Sequence, residues 1–281
     1  ASQGIKILEW HVNSETGLLD LNELDGLFSE RTKMVAFPHC SNIIGHVNPV
    51  KEISQRAHKY GALSVVDGVG YAPHGFPDIK DLESDIYLFS LYKTFGPHLG
   101  LMYVNNSLIT KMENQSHFFK EGITRSMLTP AGPDHAQIAA ASGIIDYFDA
   151  IYEHHFDKDE PPAQKNSALH KLFDDHEKEL LETLLDFLRS RNDIQIIGPD
   201  TIEARAPIVS IIPKNKDLKK VYATLTEHKL MLGMGHFYAV RPLTDMHIPR
   251  QPGVLRISFL HYTSKEDINQ LIAGLKAAMD H

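Results

Sequence analysis

The chain has 281 residues and an ordinary apolar fraction of 42%, enough for one large or two modest domains with a sizeable core. Its 28 Lys and Arg residues are scattered among 36 Asp and Glu residues, so we expect no nucleic-acid partner. No apolar run approaches the ~18 to 20 residues that span a bilayer, and a single cysteine excludes an internal disulfide framework. We therefore expect a cytoplasmic protein without a membrane partner.

The first half of the chain alternates short apolar runs with helical patterns. The helix predicted at 50–60 follows the capping residue Asn48, has Pro49 in its first turn and stops at Gly61. This βαβ rhythm predicts a mostly parallel sheet. The strands predicted for this half are Ile5 to Trp10, Met34 to Pro38, Leu63 to Asp67, Ile86 to Ser90 and Leu99 to Val104.

The second half contains longer helical patterns. One runs from Asp134 past Ile151, and an amphipathic helix is predicted at 167–191. The rest reads as a smaller α+β domain, with strands at 194–197, 207–212 and 254–259 and helices at 218–227 and 265–279. We predict a large domain at 1–153, a polar, proline-bearing junction at 154–164, and a small carboxyl-terminal domain at 165–281.

Two residues at predicted strand ends carry complementary chemistry. Asp67 ends one apolar strand, and Lys93 follows the next within Ser90-Leu91-Tyr92-Lys93. Open α/β sheets bind ligands at the carboxyl ends of their strands. A lysine amine that forms a Schiff base and a carboxylate that keeps a pyridine nitrogen protonated are what pyridoxal phosphate requires. Alternatively, Asp67 caps a turn and Lys93 is a solvated loop lysine, but the pair and its flanking sequence favour the cofactor.

The flanking sequence resembles the class V aminotransferase and cysteine desulfurase family along nearly the full chain. Four blocks in the family's order carry the resemblance: 39–45 with 48–50, 66–75, 90–100 and 253–259. It implies an α/β fold, namely a large domain of the fold type I pyridoxal phosphate-dependent transferases with a mostly parallel sheet, plus a smaller α+β domain. It also implies a homodimer.

The implied function is a pyridoxal phosphate-dependent enzyme that acts on an amino acid by aminotransferase or lyase chemistry. Relatives carry a considerable region before the strand predicted at Ile5, and this region supplies much of the phosphate cradle. We therefore expect a fragment of the complete enzyme, with the large domain incomplete at its amino-terminal end. Alternatively, a second chain supplies those parts, or the protein has lost the site.

The resemblance implies a role for each site residue by its position in the motifs. Lys93 matches the catalytic Schiff-base lysine and Asp67 the partner of the pyridine nitrogen. Ser90 matches a hydroxyl that binds the cofactor phosphate, and Tyr92 stands where desulfurases often have a histidine, with a hydroxyl able to donate to the same phosphate. Asn42 matches a polar residue near the cofactor ring, with a local turn bond as the alternative. In the substrate site, Arg256 matches the arginine that holds the substrate α-carboxylate, a task suited to its planar fork.

Three positions depart from the family pattern. Gly70 stands where relatives have a glutamine or histidine on the cofactor's phenolic oxygen, and Gly132 stands where many have a threonine for the phosphate. In the loop 235–239, Tyr238 replaces the cysteine that accepts sulfur in true desulfurases, so we assign Tyr238 to substrate binding. Cys40 matches no such position, and a small buried residue is the favoured reading. We expect no persulfide chemistry.

Other classes of function have weaker support. The 17 histidines include no pair at helical metal-binding spacing with an acid, so we expect no metal site. A serine hydrolase is disfavoured because the chain has no Gly-x-Ser-x-Gly motif. The serious alternative is a non-enzymatic interaction protein that keeps the fold with a degenerate cofactor site, as Gly70 and Gly132 would suggest.

Overall fold

The computed structural model describes residues 4–129 and 131–280 and divides them into two compact units. The parallel-sheet unit comprises the described residues of 30–39 and 49–170. The antiparallel-sheet unit comprises those of 1–29, 40–48 and 171–281. These units are discontinuous along the chain, and the boundaries at 153 and 165 stay a prediction for the domains.

The parallel-sheet unit is built on four strands in the order β1-β2-β3-β4. The first three strands are parallel, and β4 runs antiparallel to β3. Helix α2 (Val50–Lys59) packs against β2, and α7 (Pro162–Arg189) continues into residues of the other unit. The strands are β1 (Met34–Pro38), β2 (Leu63–Asp67), β3 (Ile86–Ser90) and β4 (Gly100–Val104), and the helices are α2 (Val50–Lys59), α3 (Ile79–Leu82), α4 (Asn106–Ile109), α5 (His135–Ala140), α6 (Ser142–His155) and α7 (Pro162–Arg189).

The antiparallel-sheet unit has four strands in the order β5-β6-β8-β7, all antiparallel to their neighbours. Its largest apolar cluster joins leucines of α7 to β6, β8 and the helices α8 and α10. The strands are β5 (Ile194–Ile197), β6 (Ile208–Pro213), β7 (Gly233–Gly235) and β8 (Val254–Ser258), and the helices are α1 (Leu21–Leu27), α8 (Leu218–Glu227), α9 (Val240–Asp245) and α10 (Lys265–Asp280).

Most predicted elements are confirmed, and one strand is wrong. Segment 5–10 forms no strand, because it pairs with no other strand in the described part of the chain, and Ile5, Ile7 and Leu8 are exposed. The predicted junction 154–164 contains the end of α6 and the start of α7. Within the described residues, no helix combines the length and the apolarity needed to cross a membrane.

Candidate active site

The carboxyl ends of β2 and β3 bring two predicted site residues to one edge of the parallel sheet. Asp67 is the last residue of β2 and is level with Leu88 of β3, and Gly68 N donates to Leu88 O at 2.8 Å. Ser90 ends β3 two residues further on. Because parallel strands end at the same side of a sheet, Asp67 and Ser90 lie at the edge where such folds bind ligands.

Lys93 lies in a tight turn that follows β3 directly. The 3₁₀ turn Leu91–Lys93 is anchored at Leu91, whose N–H donates to Leu99 O at 2.8 Å and whose carbonyl accepts from Thr94 N and Thr94 Oγ1 at 2.9 and 3.0 Å. The Lys93 side chain is exposed, and its Nζ lies 5.9 Å from the centroid of the Tyr92 ring, with no hydrogen-bond or carboxylate partner within the part of the chain described. The backbone is therefore fixed, while the amine is available.

The turn is held further by a strained aromatic residue. Phe95 has a φ of +67°, a left-handed conformation that bulky side chains rarely adopt. Its ring packs against Tyr147 and Phe148 of α6 at centroid distances of 5.1 and 6.2 Å. Strain of this kind persists only where the surroundings enforce it, and it clusters at functional sites.

The Asp67 carboxylate is partly engaged by its own turn. Oδ1 accepts a hydrogen bond from Val69 N at 2.9 Å, and Oδ2 has no partner among residues 4–129 and 131–280. Gly68 allows this turn to pack closely, because a Cβ there would lie 2.2 Å from the Tyr87 ring. The exposed carboxylate thus keeps one oxygen for a ligand group.

The two predicted phosphate-binding hydroxyls also lie in this segment. Ser90 is the residue before the 3₁₀ turn, and its side chain makes no capping hydrogen bond there. The half-exposed Tyr92 ring stacks on His98 with centroids 4.4 Å apart. Stacking fixes the plane of the Tyr92 ring and leaves both hydroxyls at the Lys93 turn, but their phosphate role stays a prediction.

Sequence reasoning missed a buried aromatic and histidine cluster beneath Asp67. His39 follows β1, is 4% exposed, and its backbone N–H donates to Asp67 O at 2.8 Å. Its ring stacks on Tyr71 at 3.8 Å, and Nδ1 shares a 2.8 Å hydrogen bond with the Tyr87 hydroxyl. Burial, with a smaller contribution from the charge of His170, lowers the pKa of His39 to about 3. The position of His39, a polar residue directly after the apolar strand β1, is the sequence signal that could have indicated this cluster.

In the antiparallel-sheet unit, Arg256 contacts two other parts of the predicted site. These are Asn42 and the loop that carries Tyr238. Arg256 Nη1 donates to Asn42 O at 3.1 Å, and Asn42 Nδ2 donates to Phe237 O at 2.8 Å. The Phe237 ring centroid lies 3.9 Å from Arg256 Cζ. Asn42 therefore supports the loop that carries Tyr238. The resemblance implied a role for Asn42 near the cofactor ring and did not indicate this contact.

Tyr238 and Cys40 have opposite environments. Tyr238 is 95% exposed and adopts a φ of +62°. Cys40 is buried, its Sγ donates to Gly45 O at 3.3 Å, and burial raises its pKa to about 12. A thiol acts as a nucleophile through its thiolate, so Cys40 is unsuited to accept sulfur in this state.

Comparison with known proteins assigns the chain to a family. The sequence pattern of the class-V aminotransferases matches residues 1–125 and 168–271, well over half of the chain. The chain belongs to the class V aminotransferase family. An aminotransferase-like protein of Gibberella zeae is 31% identical to it over 93% of this chain and 63% of the relative. A probable cysteine desulfurase of Mycobacterium leprae is 28% identical to it over 97% of this chain and 63% of that relative.

Solved structures show the same fold for this class V chain. The apo cysteine desulfurase of Thermococcus onnurineus superimposes with a TM-score of 0.80 at 22% identity, covering 97% of this chain and 66% of that one. The Escherichia coli cysteine desulfurase CsdA superimposes with a TM-score of 0.77 at 21% identity, covering 97% of this chain and 65% of that one. The chain spans about 63% of the length of the curated relatives it matches. The fold type I α/β prediction is confirmed.

Class V aminotransferases and cysteine desulfurases depend on pyridoxal phosphate, and the donor set of this class V chain fits that group. A free amine, a carboxylate with an unused oxygen and two hydroxyls are the chemistry it requires, and they lie on one sheet edge and the turn after it. Gly70 offers no side chain, and a Cβ at Gly132 would meet no atom within 4 Å. The residues fit, and Gly70 and Gly132 add no side-chain contact.

The buried His39 predicts a pH dependence of stability in this class V chain. Its folded-state pKa lies below the ordinary value of 6.5, so the unfolded chain takes up a proton first as the pH falls. The stabilisation is complete above about pH 7 and is lost progressively between 6.5 and 3. We expect the unfolding free energy to fall by about 2 kcal/mol through His39 when the pH is lowered from 7.5 to 5.

Denaturant titrations at several pH values measure this effect. His39→Gln should show a shallower loss between pH 7.5 and 5, whereas His135→Gln, at an exposed histidine, should match the wild type. Equal pH dependence in wild type and His39→Gln would show that His39 titrates normally in the folded state.

Proposed function

We propose that this protein is a pyridoxal phosphate-dependent enzyme that acts on an amino acid by aminotransferase or lyase chemistry. The observation that carries the proposal is Lys93, an exposed amine in the rigid turn directly after β3, on the strand beside the one that Asp67 ends. Family membership supports the same function, because the relatives named above are described as aminotransferase-like or as cysteine desulfurases.

Each site residue has a task in this proposal. Pyridoxal phosphate, when bound, supplies an electron sink for the electrons released at the amino-acid Cα. Lys93 Nζ would hold the cofactor and move a proton at Cα as a general base. Asp67 would hold the proton-bearing pyridine nitrogen. Ser90 and Tyr92 would donate hydrogen bonds to the phosphate.

The substrate tasks fall to the residues around Arg256. Its guanidinium has donors that no protein carboxylate occupies in the described parts of the chain, and a substrate α-carboxylate would receive them. Asn42 would hold the adjoining loop, and Tyr238, exposed on that loop, would contact the substrate. A phenol does not replace the sulfur-accepting thiolate, and Cys40 is buried, so the proposal excludes persulfide formation.

The proposal includes a homodimer in the cytoplasm. Support for the dimer comes from large apolar side chains of the parallel-sheet unit that are strongly exposed in the single chain, above all Phe118 and Phe119 at 81% and 64%. Exposed aromatic groups of this size mark interaction surfaces. The cytoplasmic location has the support of the single, buried cysteine.

The reaction is tested by incubating the cofactor-loaded protein with each L-amino acid, with and without a 2-oxo acid acceptor. Formation of the substrate's own 2-oxo acid only with the acceptor identifies a transaminase. Release of a side-chain fragment without the acceptor identifies a lyase. We expect turnover of at least one amino acid by one route. If the loaded protein turns over none, the non-enzymatic alternative replaces this proposal.

A further inference from the structure

The ring of Phe237 contacts both members of a residue pair on adjacent strands. Gly233 of β7 lies opposite Arg256 of β8 in the sheet register. A Cβ added to Gly233 would lie 2.6 Å from Phe237 Cε1, so the ring packs directly on that glycine. The ring centroid is also 3.9 Å from Arg256 Cζ, well within the range of a cation–π contact. The ring thus has a fixed position against the guanidinium.

The loop that carries this ring is held in an unfavourable backbone conformation. Phe237 and Tyr238 have φ values of +48° and +62°, consecutive left-handed residues that are costly outside glycine. The loop is tied down by Asn42 Nδ2, which donates to Phe237 O, and by Tyr238 N, which donates to His236 Nδ1 at 3.1 Å. Such strain persists where the surroundings enforce it and is associated with functional sites.

Arg256 is a cation without a carboxylate partner. No Asp or Glu oxygen lies within 4.0 Å of its nitrogens anywhere in residues 4–129 and 131–280, and its Nε is buried without a hydrogen bond. Burial lowers the pKa of its guanidinium, which stays charged. A half-buried unpaired cation is unfavourable unless a ligand anion compensates it. Nη1 donates to Asn42 O and Nε is buried, which leaves the remaining N–H groups of Nη1 and Nη2 for that anion.

We propose that Phe237 is a positioning residue that sets the plane of the Arg256 guanidinium for the carboxylate of the substrate. This inference rests on the proposed function, because it assigns Arg256 to that carboxylate. The bidentate fork of arginine binds a carboxylate well only in the correct plane. Loss of the aromatic face should therefore weaken substrate binding by about tenfold, the size of a partly desolvated cation–π contact.

The test compares Phe237→Leu, which removes the aromatic face, with Phe237→Tyr, which keeps a six-membered ring. Phe187→Leu is the matched control, because that ring also lies near a cation, Lys276 Nζ at 5.7 Å, in the same unit. The first readout is the ¹⁵N–¹H signal of Arg256 Nε in the ligand-free protein, assigned through Arg256→Lys. The second is the split between KM and kcat for the L-amino acid that the cofactor-loaded wild type turns over fastest.

We expect Phe237→Leu to shift the Arg256 Nε signal, through loss of the ring current, and to raise KM about tenfold with kcat within about threefold. Phe237→Tyr should retain both properties, and Phe187→Leu should change neither. If Phe237→Leu does not fold, Gly233→Ala displaces the same ring without truncating it, and the same two changes are expected.

Two results would distinguish a wrong positioning role for Phe237 from a wrong role for Arg256 in the proposed function. If Phe237→Leu leaves the Nε signal or KM unchanged while Arg256→Ala raises KM, the positioning role is wrong and the proposed function stands. If Arg256→Ala itself leaves KM unchanged, the assignment of Arg256 to the substrate carboxylate is wrong, and this inference is wrong with it.

Discussion

Replacing Lys93 with alanine should lower kcat for the amino-acid substrate by at least about 10³-fold, because the variant loses the amine that moves the proton at Cα. The turn around Lys93 fixes its backbone through the hydrogen bonds of Leu91 and Thr94. Another lysine therefore has no route to the same position without rearranging this turn. Steady-state turnover with the cofactor present measures the loss.

The fold of this variant should be intact. Lys93 is exposed and makes no ion pair in the described structure, and surface substitutions of this kind usually change the unfolding free energy by about 0.5 kcal/mol or less. Lys111→Ala, at another exposed lysine of the same unit, is the matched control and should keep wild-type turnover. A Lys93→Ala variant with more than a tenth of wild-type kcat would contradict the catalytic role.

Replacing Arg256 with alanine should raise KM for the amino acid by about 10² to 10⁴-fold. A charge-assisted hydrogen bond contributes about 1.5 to 3 kcal/mol, and a bidentate carboxylate contact forms two of them. The substitution also removes the contacts to Asn42 O and to the Phe237 ring, so the loop 235–239 loses support. Initial rates over a range of amino-acid concentrations separate KM from kcat.

A second arginine provides the control for this variant. Arg241 lies in the same unit, is largely exposed, and pairs with Glu9 at 3.0 Å. Arg241→Ala should leave KM within about twofold of the wild type, because exposed ion pairs contribute little. Arg256→Lys should recover part of the lost affinity, since it restores the charge without the planar fork. Equal KM values in Arg256→Ala and wild type would remove Arg256 from the substrate site.

The sequence predicted the strands of the parallel sheet well because burial and turn signals agree there. The bounds of β1, β2 and β3 follow from short apolar runs that end at Pro38, Asp67 and Ser90. The reversed direction of β4 was not predictable, because an apolar run has the same pattern in either direction. The prediction of a strand at 5–10 was wrong because an apolar run does not show whether a neighbouring strand is there to pair with it.

The candidate site was predictable where chemistry and motif coincide, as at Asp67 and Lys93. Tertiary contacts decided the rest. Strand β7 has the sequence Gly-Met-Gly, which has low intrinsic strand preference, and it exists through its pairing with β8. The Phe237 contact with Arg256 depends on this pairing and on two left-handed residues, so no local pattern could indicate it.

Borohydride reduction of the protein in the presence of pyridoxal phosphate, followed by peptide mapping, determines whether Lys93 holds the cofactor. We expect one pyridoxyl group per chain, attached to Lys93, and no stable label at that peptide in Lys93→Ala. A label spread over many exposed lysines, or a single label on another residue, would contradict the assignment of Lys93 as the residue that holds the cofactor.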